Sequence, residues 1–270
     1  MTAPGTMTAP GTMTAPGTMT APGAMTAPGT MTAPGAMTAP GAMTAPGAMT
    51  APGIAATLEF DPAALAPREA YRLLIGGILP RPIAWVSTVA PDGTRNLAPF
   101  SFFTIVCESP PTICFAPSRT ADGHKKDTLA NVEATGEFVV NVVGEAQVEA
   151  MSHSSATVAA TVDEFALAGL EATPSSVVRP PRVAGAPVAY ECRLAQVVHV
   201  GGDRPGAGCL VLGTVVRVHV AADAWRDGRI DTDVARQVGR GGGDDYVRTR
   251  DRFALRRPVV DPDGTVRLPA

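Results

Sequence analysis

Short strand-forming runs recur along the chain from residue 55 onward, and they restrict its fold more than any other feature. The runs at 112–116, 137–143, 188–200 and 210–220 are rich in β-branched and apolar residues, and glycine, proline or polar clusters separate them. Such residues favour strands, and such clusters favour turns. Helical periodicity is rare by comparison. The pattern therefore predicts a mainly β barrel or sandwich rather than a parallel α/β sheet.

Nine tandem hexapeptides of the form Met-Thr-Ala-Pro-Gly-X occupy residues 1–54. Because every unit contains Pro and Gly and none contains a charged or aromatic residue, the tract cannot bury enough apolar surface to offset its chain entropy. We therefore predict a disordered tract, followed by a single domain over residues 55–270. The tract also lacks the basic start and the uninterrupted apolar stretch of a secretory signal, which predicts a cytoplasmic protein.

Composition argues against several classes of protein. The formal net charge of −3, without a basic patch, argues against a nucleic-acid partner. No apolar run reaches the roughly 18 residues of a membrane span, so we expect no membrane association. The four cysteines form no C-x-x-C pair and have no metal-ligand spacing with the histidines. We therefore predict reduced core thiols and no metal site.

Two further strands are predicted, at 81–88 and at 96–103. Pro99 lies inside the second, and because proline cannot donate to a β-ladder, this stretch is expected at the edge of a sheet. Backbone groups there are free to face a ligand, and Asn96 and Ser101 add side-chain donors and acceptors. Flat apolar surface for a planar ring comes from Phe100, Phe102 and Phe103.

A loop that leads into a short helix is predicted to follow. Asp127 or Thr128 is expected to be the N-cap, and Gly136 is expected to end the helix. A helix N-terminus carries unpaired N–H groups and a partial positive charge, so it favours an anion. Together with Arg119 and Lys126, the start of this helix predicts a phosphate site.

Each of these features also has a simpler interpretation. Lys125 and Lys126 could form a solvated loop, since charges are common near helix ends. Asp127 could be only a helix cap, and strand alternation would place at least one of the phenylalanines in the core. The occurrence of both features in one chain favours a ligand site.

The motifs, in their order along the chain, resemble those of flavin-reductase-like proteins with an FMN-binding split β-barrel. The resemblance extends over residues 71–258 and depends on the ordered series rather than on any single motif. The series comprises Arg-Pro-Ile-Ala at 81–84, Asn-Leu-Ala-Pro-Phe-Ser at 96–101, Pro-Pro at 110–111, Lys-Asp-Thr at 126–128, Glu-Phe-Val-Val-Asn-Val at 137–142, Asp-Glu-Phe at 163–165, Gly-Leu at 169–170, Pro-Pro-Arg-Val at 180–183, Leu-Gly at 212–213 and the segment 239–246.

This resemblance implies a six-stranded Greek-key split β-barrel with a few peripheral helices. It also implies a homodimer with FMN near its interface, and hydride transfer from NADH or NADPH to the flavin. Because the cofactor carries the chemistry, no catalytic side chain is predicted. The FMN-binding residues implied by position are Ser87, Thr88, Asn96, Ala98, Pro99, Phe100 and Ser101 around the ring and its chain, Arg119, Lys126, Asp127 and Thr128 around the phosphate, and Arg240 from the C-terminal segment.

Two departures from the family pattern leave the electron donor and the activity open. Three glycines at 241–243 make the segment after Arg240 looser, and no Gly-Asp-His nicotinamide element is found. The chain could therefore be an FMN-binding electron-transfer module without nicotinamide oxidase activity of its own. It could also reduce a small substrate other than free flavin, or be a structural barrel without flavin.

Overall fold

The computed structural model describes residues 57–268 of the chain. The predicted disorder of the hexapeptide repeats and the predicted domain boundary after residue 54 lie outside this range. One compact unit begins at Glu59.

Five α-helices and fifteen strands occur within residues 57–268. The helices are α1 (Pro67–Gly77), α2 (Asp127–Thr135), α3 (Val148–His153), α4 (Glu164–Leu167) and α5 (Thr232–Ala235), with 3-10 helices at Glu145–Gln147 and Ala222–Ala224. The strands are β1 (Ala84–Val89), β2 (Arg95–Phe100), β3 (Phe103–Glu108), β4 (Pro111–Phe115), β5 (Glu137–Val142), β6 (Ala172–Thr173), β7 (Arg182–Val183), β8 (Val188–Val200), β9 (Gly208–Val220), β10 (Trp225–Arg226), β11 (Arg229–Ile230), β12 (Val238–Arg240), β13 (Tyr246–Arg248), β14 (Val259–Val260) and β15 (Val266–Arg267).

Seven antiparallel strands form the main sheet, in the order β2-β1-β5-β8-β9-β4-β3. The two edge strands, β2 and β3, are consecutive in the chain and are joined by only Ser101 and Phe102. Because this connection spans at most about 11 Å, the two edges lie near each other and the sheet curls into an open barrel. The predicted mainly β split-barrel fold is confirmed. The strand count is seven rather than six because the chain bends at 101–102 and divides one strand-forming run.

The predicted strands agree with β1, β2, β4, β5, β8 and β9 to within three residues at either end. Pro99 lies in β2, an edge strand, as its missing N–H requires. Strand β1 is buried on both faces. Val86 contributes to the barrel core with Phe138, whereas Trp85 packs with Phe165 on the opposite face. Successive side chains of β1 therefore point alternately into two different cores, rather than alternately into a core and into solvent.

Gly213 in β9 allows the Phe138 side chain to pack directly against the backbone of β9 in the barrel core. A Cβ atom at this position would collide with the Phe138 ring of β5. Glycine is therefore the residue that lets β9 and the Phe138 ring occupy the same layer of the core.

Helix α2 begins one residue earlier than predicted. Its N-cap is Lys126, without a side-chain cap, and Asp127 is already helical. The predicted cap at Asp127 or Thr128 is wrong because the buried Thr128 hydroxyl accepts a hydrogen bond from Asn96 (2.9 Å) instead. Gly136 ends the helix in the left-handed conformation (φ 70°), as predicted, and its N–H donates to the carbonyl of residue 132.

All four cysteines are free thiols, as predicted. Cys114, Cys192 and Cys209 are buried, but Cys107 in β3 is only partly buried. Among residues 57–268, no group of His, Cys, Asp and Glu side chains is arranged to hold a metal ion. Within the same range, no helix has both the length and the apolar character needed to cross a bilayer.

Candidate functional site

Two adjoining cavities lie against the edge strand β2. Cavity A has a volume of about 230 Å³ and is lined by β2, the start of α2 and the segment after α3. Cavity B has a volume of about 310 Å³ and is lined by Ser101, Arg240, Tyr246 and the end of α3. Pro99 and Ser155 contribute to the walls of both cavities. The two cavities therefore meet at Pro99.

Strand β2 forms one wall of cavity A. Asn96, Ala98 and Pro99 line it, and β1 pairs with β2 on the other side. As an edge strand, β2 has backbone groups that no neighbouring strand pairs with. The Leu97 N–H already donates to Glu164 Oε2 (3.0 Å) and Pro99 has no N–H, so carbonyl groups of this edge are what is left to hydrogen-bond a polar ligand.

The start of α2 forms the opposite, cationic wall of cavity A. Lys125, Lys126, Asp127 and Thr128 all line the cavity there. The first N–H groups of a helix have no intrahelical acceptor and carry partial positive charge. The Lys126 ammonium lies 5.7 Å from the centre of the Phe100 ring, whereas Lys125 Nζ lies 2.5 Å from Glu133 Oε2. The two adjacent lysines therefore differ in their contacts: Lys126 lies over an aromatic ring, and Lys125 is paired with a carboxylate.

A buried hydrogen-bond network fixes the two walls of cavity A to each other. Asn96 Nδ2 donates to Thr88 Oγ1 (3.0 Å) and to Thr128 Oγ1 (2.9 Å). Asn131 Nδ2 also donates to Thr88 Oγ1 (3.1 Å). Thr88 therefore supports the site from behind and does not line either cavity. The Thr128 hydroxyl accepts from Asn96, so its own proton is free to be donated into the cavity.

The segment after α3 is a third wall of cavity A that sequence reasoning missed. Ser154, Ser155 and Thr157 lie there. Ser154 Oγ accepts from Trp85 Nε1 (2.9 Å) and donates to the carbonyl of Met151 (2.8 Å), which anchors the segment to the β1 core. The signal in the sequence is that four of the six residues at 152–157 are Ser or Thr, and such a segment also suits an ordinary loop.

Glu164, at the start of α4, was also missed as a lining residue of cavity A. Only 5% of this residue is exposed, and Glu164 Oε2 accepts from the N–H of Leu97 (3.0 Å). Burial raises the pKa of the Glu164 carboxyl, the Leu97 N–H lowers it, and Asp127 and Asp163 add smaller increases. The net effect is an increase, so ionisation of this carboxyl is less favourable than ionisation of a solvent-exposed glutamate.

Ser101 and Arg240 line cavity B together with Pro99. Arg81 fixes this arrangement, because it exchanges two backbone hydrogen bonds with Arg240 (2.9 and 2.8 Å). Its guanidinium also donates to the carbonyl of Gly241 (2.8 Å) and to Ser101 Oγ (3.3 Å). The Arg240 guanidinium lies 4.5 Å from the centre of the Tyr246 ring. The glycine-containing segment after Arg240 is thus tied to the barrel.

Three further predicted residues line neither cavity. Ser87 Oγ is buried and donates to the carbonyl of Pro181 (2.5 Å). Phe100 belongs to the barrel core. Arg119 Nη1 donates to the carbonyl of Gly123 (2.9 Å), and its guanidinium also pairs with Asp203. Any contact of these side chains with a ligand stays a prediction.

Comparison with known proteins shows the family to which this chain belongs. The model of the "Flavin reductase like domain" matches residues 76–232, a range that includes β1 to β9 and all of cavity A. The protein BH2278 of Halalkalibacterium halodurans is 42% identical over 205 residues, which cover 75% of this chain and 98% of that protein.

Two solved structures share the barrel over nearly their whole length. Nitrilotriacetate monooxygenase component B from Bacillus cereus is 37% identical, with a TM-score of 0.71, over 74% of this chain and 99% of that chain. The 2-nitrobenzoate 2-nitroreductase NbaA of Pseudomonas fluorescens is 31% identical, with a TM-score of 0.67, over 76% of this chain and 98% of that chain. The chain with the two cavities along β2 therefore belongs to the flavin reductase-like family.

Proposed function

We propose that the protein is an FMN-binding oxidoreductase that transfers hydride from NADH or NADPH to flavin. Membership of the flavin reductase-like family supports flavin binding and redox chemistry. One observation favours FMN at this place: the cationic start of α2 and the unpaired edge of β2 line a single cavity. A nucleotide with a phosphate at one end and a planar polar ring at the other requires both surfaces together.

The phosphate is assigned to the start of α2. Within residues 57–268, Lys126 has no carboxylate at ion-pair distance, and its ammonium is held over the Phe100 ring. Lys126, the free hydroxyl proton of Thr128 and the first N–H groups of α2 would together donate to the phosphate oxygens. Thr88 and Phe100 assist from behind, because Thr88 fixes Asn96 and Phe100 supports Lys126.

The ring is assigned to the edge of β2, at the point where cavity A meets cavity B. The carbonyl of Pro99 and the hydroxyl of Ser101 would hydrogen-bond its polar rim, and Ala98 would lie beside them in the same wall. When bound, the flavin would supply the ring atoms that accept and release hydride. The residues of this chain would then hold and orient the reactants, so no protein acid or base is required for that step.

The visible absorption spectrum of the purified protein, with release and identification of any chromophore, tests the proposal first. Oxidation of NADH and of NADPH, measured with and without added FMN, then separates the functions. Turnover that depends on free FMN supports a flavin reductase. Photoreduction of bound flavin without nicotinamide oxidation supports the electron-transfer module. A colourless protein that does not bind added FMN contradicts the proposal.

Reduction of a small substrate other than free flavin is the second candidate. The observation that favours it is the 31% identity, over 98% of that chain, to a protein named 2-nitrobenzoate 2-nitroreductase. The Arg240 guanidinium in the wall of cavity B lies 3.8 Å from the exposed Asp244, and a carboxylate on such a substrate would compete with Asp244 for it. Loss of 2-nitrobenzoate absorbance in the presence of NADH or NADPH, without added flavin, would support this activity.

A homodimer is proposed from the apolar surface on α1 and β3. No residue of α1 is buried, and Leu74 and Ile105 are 65% and 75% exposed. The Tyr71 ring of α1 lies 6.4 Å from the Phe102 ring, which connects α1 to the start of β3. Large exposed apolar side chains grouped in this way are typical of an interface.

Light scattering during size-exclusion chromatography tests the dimer. Ile105→Asp should shift the protein to a monomer, because it places a charge at the centre of the proposed interface. Val260→Asp is the matched control, since Val260 is also exposed but lies outside this surface. A wild-type protein that elutes as a monomer would contradict the dimer.

A further inference from the structure

A row of polar side chains leads from Lys125, in the wall of cavity A, by way of α2 to strands β8 and β9. Lys125 Nζ lies 2.5 Å from Glu133 Oε2. The other carboxylate oxygen, Glu133 Oε1, lies 3.4 Å from His199 Nε2 in β8. His199 Nδ1 in turn lies 3.2 Å from Cys209 Sγ in β9. Four side chains from four segments are thus linked, and only Lys125 reaches the cavity.

The buried end of the row determines how His199 is oriented. Cys209 is buried, and burial raises the pKa of its thiol, so the sulfur keeps its proton. A neutral thiol can donate to Nδ1 of a neutral imidazole, which leaves the N–H on Nε2 to face Glu133. The His199 side chain is 43% exposed, so it can exchange protons with solvent.

The charges around His199 balance while the imidazole is neutral. Glu133 faces it from α2 and is paired with Lys125. Arg119 and Asp203, which form a second ion pair, act with them on the neighbouring Cys209 thiol. Two cations and two anions therefore cancel, and a proton on His199 gives the group a net charge of +1. Imidazole is the side chain that ordinarily changes charge between about pH 5 and pH 8.

We infer that Glu133 and His199 are positioning residues for the phosphate site, and that a proton on His199 strengthens phosphate binding by weakening the hold of Glu133 on Lys125. This inference rests on the proposed FMN site in cavity A. A carboxylate shared between two cations attracts each less effectively, so the ammonium of Lys125 becomes more available to an anion. By linkage, binding of the anion promotes protonation of His199 to the same extent.

Fluorescence titration with FMN, at about pH 6 and about pH 8.5, tests the inference. His199→Gln is the informative variant because glutamine can still donate to Glu133 but cannot take up a proton. Since the phosphate group itself titrates near pH 6, the quantity compared is the ratio of the variant Kd to the wild-type Kd. We expect a ratio of about 3 at pH 6 and about 1 at pH 8.5.

Two further variants show whether the effect passes through Glu133. His124→Gln removes an exposed imidazole next to Lys125 that lies 3.7 Å from Asp122 and is not part of the row, and its Kd ratio should stay constant with pH. In a Glu133→Gln background, His199→Gln should leave the affinity for FMN unchanged at both pH values.

Three results would overturn the inference. They are a pH-independent ratio for His199→Gln, an equal effect of His124→Gln, and an effect of His199→Gln that persists without Glu133. In each of these cases the wild type still binds FMN. Failure of the wild type to bind FMN would instead contradict the proposed function.

Discussion

At the scale of single residues, the surroundings of a side chain determine its contribution more than its type does. Lys125 and Lys126 are adjacent and are the same residue, yet one is paired with Glu133 and the other is held over an aromatic ring. The sequence predicts a cationic loop from either lysine. The contacts in the folded chain add a reason to propose Lys126, which the sequence already indicated, as the main phosphate contact.

Replacement of Lys126 tests this assignment. Lys126→Ala should weaken FMN binding by about 1.5 to 3 kcal/mol, because a charge-assisted hydrogen bond to the phosphate is lost. Lys125→Ala is the matched control and should cost less than about 1 kcal/mol, since Lys125 is already paired with Glu133 on the surface. Isothermal titration calorimetry measures both. Equal losses for the two variants, or none for Lys126→Ala, would refute the assignment.

Glu164 illustrates how burial changes the chemistry of one carboxyl group. Because its pKa is raised in the folded protein, chiefly by burial, the folded state binds this proton more tightly than the unfolded state does. The free energy of unfolding therefore falls as pH rises from the ordinary glutamate pKa through the raised value.

Glu164→Gln removes this dependence on pH. Relative to wild type, the variant should become progressively more stable as pH rises from about 4 to about 7, because only the wild type must ionise a buried acid. Urea unfolding at several pH values measures the difference in the free energy of unfolding. A difference that stays constant over this range would contradict the raised pKa.

At the scale of elements, local signals located β2 and α2, two of the elements that build the site. Runs of β-branched and apolar residues located β4, β5, β8 and β9, and Gly136 marked the end of α2. Pro99 correctly placed β2 at an edge. The start of α2 was misplaced because a capping side chain was expected there, whereas Thr128 hydrogen-bonds with Asn96 across the cavity.

Packing between β9 and β5 gives a prediction at this scale. Gly213→Ala should destabilise the protein by about 1 to 3 kcal/mol, because the added methyl group collides with the Phe138 ring. Gly208→Ala on the same strand is the control, since nothing lies within 4 Å of a Cβ there. Urea denaturation measures both variants. Equal stabilities of the two variants would contradict the close packing.

At the scale of the whole molecule, the site exists because segments distant in the sequence meet at one edge of the sheet. Strands β2 and β3 are the two edges of the sheet although they are neighbours in the chain, and the segment after α3 covers the exposed side of β2 near Pro99. The cavity walls therefore come from residues as distant in sequence as Asn96 and Glu164. The hexapeptide repeats at 1–54 are predicted to play no part in this assembly.

Deletion of residues 1–54 tests the predicted division of the chain. The shortened protein should unfold at the same temperature as the full chain, within about 2 °C, and should bind FMN equally well, because a tract without a core contributes little to folding. Differential scanning calorimetry and FMN titration measure these quantities. A substantial loss of either would show that the repeats belong to the folded unit.

The sequence by itself determined the strand-rich fold class, the edge position of Pro99, the cationic helix start and the resemblance to flavin reductase-like proteins, because these depend on local patterns and their order. Only the tertiary structure decided which side chains face the cavities. It buried Ser87 and Thr88 away from the cavities, on opposite faces of β1. Both faces of this strand are buried, so the alternation of its residues could not predict which side chains face a ligand. It also placed Ser154, Ser155 and Glu164 beside β2. Trp85 and Phe165 are buried together in the second core, and this packing holds the segment after α3 and the start of α4 against that strand.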